Sequence, residues 1–374
     1  MSVDTHTAGL TMRPEEKHHN ETYSALVWRR LKRSWTGMLG LVLVCLLIFM
    51  ALFADFLSPA DPKATGVAFA PPQTISIHDR EGNLVFPPRS YPIRETEELD
   101  PITFQPVVGP DYDNPQVLGF FVKGAPYKLF GFIPFDRHLF GATDGSAVHF
   151  LGTDKFGRDV LSRILYGSRI SLMIALVVVS IITVVGTTVG MVSGYFGGRF
   201  DAWVQRFVEL VLAFPQLPLY LALTSLIPVT APTNVFLAFV IIVMSALGWA
   251  QMSREVRGKT LALARIDYVK AAIAIGATDR RIIFQHIFPN VMSHVIVAVT
   301  LAIPQVVLLE SFLGFLGFAV KPPLISWGLM LQDTANYSAI GSYPWILSPV
   351  AFVLVTVLAF NALGDGLRDA IDPY

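Results

Sequence analysis

The side chains able to do covalent chemistry are few in this sequence and poorly spaced for it. Gly258-Lys259-Thr260 has the ending of a phosphate-binding loop. That pattern also needs a glycine five residues before Gly258, following a strand, so that backbone N–H groups can cradle an anion. Ser253 stands there instead, and no strand precedes it. His286 and His294 have no carboxylate beside them, and His18-His19 sits in a polar tail, so neither pair has the further ligands a metal ion needs. Ser168 and Ser171 have no histidine or acid nearby in the chain to activate them. The residue types point to no catalytic group and no metal site.

Two acids next to apolar runs carry more information. Glu209 follows Arg206 at the spacing of an intrahelical ion pair. Glu310 lies between Val306-Val307-Leu308-Leu309 and Phe312-Leu313-Gly314-Phe315-Leu316-Gly317-Phe318. A carboxylate at membrane depth faces a protein interior or a water path. Glu310 is therefore either a pathway or gate residue able to recognise a cationic substrate end, or the structural partner of a basic side chain.

These residues must be positioned by a membrane protein. The chain has 374 residues and 15% charged side chains, against about 25% in soluble domains, and its mean hydropathy is +0.54. The 28 basic and 28 acidic residues cancel, so net charge carries no sign of a nucleic-acid partner. The single cysteine, Cys45, rules out an internal disulfide. The first apolar run comes too late and is too long for a cleaved signal peptide, and is expected to stay as an anchor.

Four basic residues in Trp28-Arg29-Arg30-Leu31-Lys32-Arg33 mark the cytoplasmic side of the uncharged run Gly37 to Ala54. From Ser58 to Phe150 the texture changes, with 13 of the 25 prolines between Pro59 and Pro134. Thr74 to His78 and Leu84 to Phe86, around Asp79 to Asn83, predict a β-hairpin there. Next, Thr153 or Asp154 is expected to cap an amphipathic surface helix carrying Val160, Leu161, Ile164 and Leu165 inward, with Arg158 and Arg163 off that face.

Ile170 to Gly198 predicts the second span. The 44 uncharged residues from Leu210 to Ser253 are twice what one span needs, so they predict the third and fourth, with Pro228 to Asn234 turning between them and Pro215 and Pro218 kinking the third. Val291 to Leu309 and Trp345 to Leu363 complete six. Gln251 to Asn290 holds seven Lys or Arg against three Asp or Glu, which places that loop and both termini inside.

Within it lies Asp267 to Pro289, a polar island between uncharged runs. Tyr268, Ala271, Ala272 and Ile275 recur at helical spacing, Gly276 can end a helix with positive φ, and Thr278-Asp279 can start the next. The prediction is helix, turn, helix, with small alanines at the tip where a partner can approach the backbone closely. Lys270, Arg280 and Arg281 flank it with positive charge.

The spacing of Ala271, Ala272, Gly276 and Pro289 resembles the "EAA" loop of ABC importer permeases. Lys270 stands where many members have Glu, and His286-Ile287-Phe288-Pro289 replaces the usual I-x-L-P, a variation associated with the peptide and nickel branch. Gly152 to Arg169, with the pattern GTDxxGRDxxSRxxxGxR, resembles the segment before the second span of dipeptide and oligopeptide permeases. Phe312 to Phe318, Lys321 to Met330 and Asn361 to Pro373 are similar as well. The resemblance covers Leu151 to the end and leaves out 58–150.

The uncharged runs, the hairpin pattern and the resemblance together predict an all-α membrane protein of six transmembrane helices, with a cytoplasmic coupling loop and a small β-containing extracytoplasmic insertion. Residues 1–36 would be a cytoplasmic segment, 37–57 the first transmembrane helix, 58–150 the insertion, and 151–374 a five-helix core whose coupling loop is 254–290. The chain would sit in a bacterial inner membrane as one permease of a heterodimer. Its partners would be a second permease, ABC ATPase subunits holding ATP and Mg, an extracytoplasmic substrate-binding protein and membrane lipid. No cofactor would bind this chain.

Lys270, Ala271, Ala272, Gly276, Asp279 and Arg280 would meet the ATPase. Oligopeptides or dipeptides lead as substrates, with oligosaccharides, opines and nickel as alternatives. A secondary transporter driven by an ion gradient would instead show paired acids or broken helices in repeated halves. A membrane enzyme would need a polar catalytic set at membrane depth.

Overall fold

The computed structural model describes residues 23–78, 83–99, 106–228 and 230–371; His18-His19 and most of the hairpin loop after His78 lie outside them. The chain enters through α1 (Tyr23–Arg33) and α2 (Trp35–Leu52), joined at Ser34, whose hydroxyl accepts from Gly37 N. A single turn, α3 (Ala54–Leu57), leads into six strands. These are β1 (Ser76–His78), β2 (Leu84–Ser90), β3 (Ile93–Leu99), β4 (Pro106–Pro110), β5 (Gln116–Leu129) and β6 (Ile133–Ala142). They form an antiparallel sheet in the order β1-β2-β5-β6, plus a separate β3-β4 pair, so the expected β1-β2 hairpin is present, with His78 opposite Leu84.

The helix after the sheet differs from expectation. A surface helix capped by Thr153 or Asp154 does not form; α4 (Val160–Phe196) is one continuous helix of 37 residues capped by Asp159, which accepts from Ser162 N at 2.6 Å. Gly152 and Gly157 take φ of +70° and +74°, which turns the backbone out of helix before Asp159. Thr153 instead joins the Val67 carbonyl and the Ala70 N–H, each at 2.7 Å. Arg163, expected off the apolar face, is buried and paired with Asp154 at 3.3 Å. Gly152 to Asp159 is thus a clasp that ties 60–73 to the start of α4.

Gly197 and Gly198, both at φ +62°, turn the chain into α5 (Gly198–Ala213), followed by α6 (Gln216–Thr224). The expected kink is a full break of 80° between them. Pro215 lacks an N–H and holds Phe214 extended, whereas Pro218 falls in the first turn of α6, where no donor is lost.

The remaining elements are α7 (Thr233–Leu263), α8 (Asp267–Ala274), α9 (Asp279–Arg281), α10 (Phe288–Phe315), α11 (Trp327–Leu331), α12 (Tyr337–Ser342) and α13 (Ser348–Ile371). Among the described residues, five stretches of helix are long and apolar enough to cross a membrane, and six if the bent pair α5-α6 counts as one span.

The core forms where α4 lies along α7 and α2 along α13. Gly186, Gly190 and Gly194 give α4 a flat stripe. A Cβ at Gly190 would stand 2.5 Å from the Ser253 carbonyl, so the two backbones approach as only glycine allows. Gly37 on α2 faces Gly366 on α13 in the same way.

Candidate functional site

Helix α8 ends in a Schellman turn: Ala277 N donates to Ala272 O and Gly276 N to Ile273 O, both at 3.0 Å, with Gly276 at φ +81°. Thr278 then caps α9, its hydroxyl accepting from Arg281 N at 3.4 Å. The second helix does not stop there. It runs through a π-helical stretch, Ile282–Ile287, straight into α10. Ile282, Ile283 and Ile287 are buried under α8, together with Val269.

The expected apolar stripe is split by this packing. Val269 and Ala272 face inward, while Tyr268, Ala271 and Ile275 face out. The structure therefore separates the two alanines: Ala271 is on the exposed tip and Ala272 beneath it. Ile275 is 86% exposed and Ile273 51%, forming a bare apolar ridge edged by Lys270, Arg280 and Arg281. Lys270 pairs with Asp267 at 3.3 Å along α8. No Cβ-sized obstacle surrounds Gly276, so its backbone angle and not space demands glycine.

Two polar links join this loop to the spans. Tyr195, at the end of α4, donates its hydroxyl to Asp279 Oδ1 at 2.7 Å. Asn290 Nδ2 reaches both the Tyr268 hydroxyl at 3.2 Å and the His286 carbonyl at 2.7 Å. Nearby, Asp201 of α5 accepts from Arg257 Nε at 2.6 Å and Nη2 at 2.5 Å, and also from Ser193 Oγ, so α4, α5 and α7 meet at one carboxylate. Gly258-Lys259-Thr260 is helical within α7 and forms no phosphate loop.

Between α4, α6, α7 and α10 lies an open cavity of about 590 Å³. Its wall is apolar except for Tyr220, Gln216, Gln251, Gln305 and Glu255. Gln251 donates to Glu255 at 2.8 Å. A second chamber of about 770 Å³, towards α13, shares Glu255, Ala298 and Leu301 with the first and adds Lys259, His294 and Arg368. Glu255 thus stands where the two meet. In the sequence Glu255 stands among Arg254, Arg257 and Lys259 as one more loop charge, and its helical spacing from Gln251 is the local signal of its place.

Among the described residues, Glu310 pairs with no base. It is fully buried, and its Oε2 accepts from Ser171 Oγ at 3.0 Å. Ser171 in turn accepts from Trp327 N at 3.1 Å, and Trp327 Nε1 donates to the Ile164 carbonyl at 3.0 Å. The carboxylate therefore fastens α10, α4 and α11 together. Leu309, one residue earlier, is part of the cavity wall, but Glu310 is not. Arg206 and Glu209 form the expected pair at 3.0 Å, fully in the open.

Residues 186–374 match the binding-protein-dependent transport system inner membrane component, and residues 22–72 match the N-terminal transmembrane domain of oligopeptide transport permease C. The chain is 43% identical over 261 residues to the oligopeptide transport system permease protein OppC of Salmonella typhimurium, spanning 69% of this chain and 83% of that protein. It is 44% identical over 233 residues to the OppC protein of Escherichia coli, covering 62% and 74%. It is also 39% identical over 228 residues to the dipeptide transport system permease protein DppC of Bacillus subtilis, covering 61% and 69%. The five or six apolar helices, the glycine-ended helical loop and these matches agree: this chain belongs to the inner-membrane permease components of binding-protein-dependent ABC importers, which are not themselves catalytic.

Proposed function

We propose that this chain forms half of a translocation pathway for oligopeptides or dipeptides and is worked by a separate ATPase docked on the α8 loop. ATP and magnesium act on that partner. A second permease closes the open side of the two chambers that meet at Glu255, and an extracytoplasmic binding protein delivers the substrate. The loop 254–290 and both termini lie in the cytoplasm, and the sheet lies outside.

The observation that carries this reading is the bare ridge of Ile273 and Ile275 beside Ala271, standing on an inner face that is well packed. A protein leaves such apolar surface exposed where a partner covers it. Lys270 and Arg280 form its charged rim, and Gly276 and Asp279 hold its shape. Because α9 runs unbroken into α10, and Asp279 is bonded to α4, a displacement of the ridge is delivered to two walls of the cavity. Glu310 acts at the far end of those same helices as the clamp that the pathway must release.

Co-purification tests it. Ile275→Asp should leave the amount of protein in the membrane unchanged while reducing the ATPase recovered with it at least severalfold, and peptide uptake with it. Undiminished ATPase recovery and uptake in Ile275→Asp would sink the proposal.

A further inference from the structure

The long hairpin β5-β6 carries an unusual amount of bare aromatic surface. Its three-residue loop is Phe130-Gly131-Phe132, closed by Gly131 N to Lys128 O at 2.9 Å, with Gly131 at φ +85°. Phe132 is 72% exposed, and Phe130, Ile133, Phe121 and Phe120 are exposed as well. In a domain that stood free in water, this surface would cost free energy with nothing to offset it.

Its position supplies the occupant. The Phe130 ring meets Phe53 at 5.4 Å between centroids, and Phe121 meets Phe56 at 6.0 Å. Phe53 directly follows α2, whose outward face of Leu46, Phe49 and Leu52 is bare apolar surface on a helix that crosses the membrane. At 1.5 Å per residue the 18 residues of α2 span about 27 Å, close to the roughly 30 Å of a hydrocarbon core. Its last turn and the hairpin tip are therefore at one depth, the boundary of the lipid. The rings of Phe49, Phe53, Phe130 and Phe132 follow one another at 4.7, 5.4 and 6.5 Å between centroids, so the bare surface of the hairpin continues the exposed apolar face of α2. Exposed Lys128 beside the tip suits that boundary, since aromatic rings and long basic side chains favour the headgroup layer.

We propose that the β5-β6 tip is a membrane foot: Phe130, Phe132 and Ile133 enter the headgroup boundary of the leaflet at the α2 C-terminus and hold the sheet against the lipid surface. The foot lies between the two family-matched segments, in residues that neither covers. Phe130, held at φ +54°, where a bulky side chain is rare, fixes the tip onto Phe53.

Spin labelling in lipid nanodiscs of mixed neutral and anionic phospholipid tests this. The only native cysteine, Cys45, would first be replaced by Ser. Labels at Phe132→Cys and, separately, Ile133→Cys should collide severalfold more with dissolved oxygen, relative to a water-soluble nickel chelate, than a label at Asn114→Cys in the exposed turn of the same insertion. Equal nickel accessibility at 132, 133 and 114 would overturn the proposal. So would protection from both reagents, which would mean that protein and not lipid covers the tip. The readout needs neither substrate nor ATPase, so it stands or falls apart from the transport reading.

Discussion

The Tyr195 hydroxyl donates to the Asp279 carboxylate at 2.7 Å, joining the last turn of α4 to the loop that bears the exposed ridge. These residues are far apart in sequence, and this bond is a direct polar link between the loop and α4. A hydrogen bond to a charged group is worth about 1.5–3 kcal/mol, and an exposed one such as this stands at the low end. Tyr195→Phe should therefore leave assembly and folding intact and raise the ATP consumed per peptide imported. Asp279→Ala should do the same, and the double variant should be no worse than either single one, because one shared contact is lost once. Fully additive losses in reconstituted vesicles would show that the bond is not the connection.

Gly276 ends α8 at φ +81° with open space around it. A β-branched side chain there costs about 1–2 kcal/mol in backbone strain alone, and asparagine less, because it tolerates left-handed conformation. Gly276→Val should reach the membrane in normal amount, lose peptide uptake and release the ATPase, while Gly276→Asn keeps a substantial part of both. Uptake measured in the two variants at matched protein levels checks the order.

Glu310, Ser171 and Trp327 form a buried chain of bonds. Ser171→Ala leaves the Trp327 N–H and the carboxylate each without that partner, at about 1–3 kcal/mol per group. It should lower the thermal unfolding temperature of the detergent-solubilised protein. Glu310→Gln keeps an acceptor of the same shape and should unfold near the wild-type temperature. If Glu310→Gln were as stable as wild type yet failed to import peptides, charge at this position would belong to the pathway and not only to the clamp.

A chain of five or six apolar helices, the β-hairpin after Thr74 and the glycine-ended turn at 276 were legible in the sequence. Each depends on local chemistry: runs of uncharged residues, alternation, and a backbone angle only glycine takes easily. Which faces those elements bury was not legible. Val269 and Ala272 were drawn inward by Ile282, Ile283 and Ile287, which follow them on another helix, so the tip of α8 consists of Ala271, Ile273 and Ile275. Helical spacing offered more than one stripe, and only the packing partner chose between them.

Long-range partners decided the rest. Thr153 and Asp154 have the composition of helix caps, but the Val67 carbonyl and Ala70 N–H take the Thr153 hydroxyl, and the Phe156 and Arg158 N–H groups with the Arg158 and Arg163 side chains take the Asp154 carboxylate, leaving the cap to Asp159. Glu310 was open to two readings, a pathway acid or half of an ion pair, and the hydroxyl of Ser171 is what the fold brings to it. Local sequence determined the helices and their breaks because those follow from each residue's own backbone and hydropathy. The clasp, the buried carboxylate and the two chambers meeting at Glu255 depended on tertiary structure, because each exists only between segments that are distant along the chain.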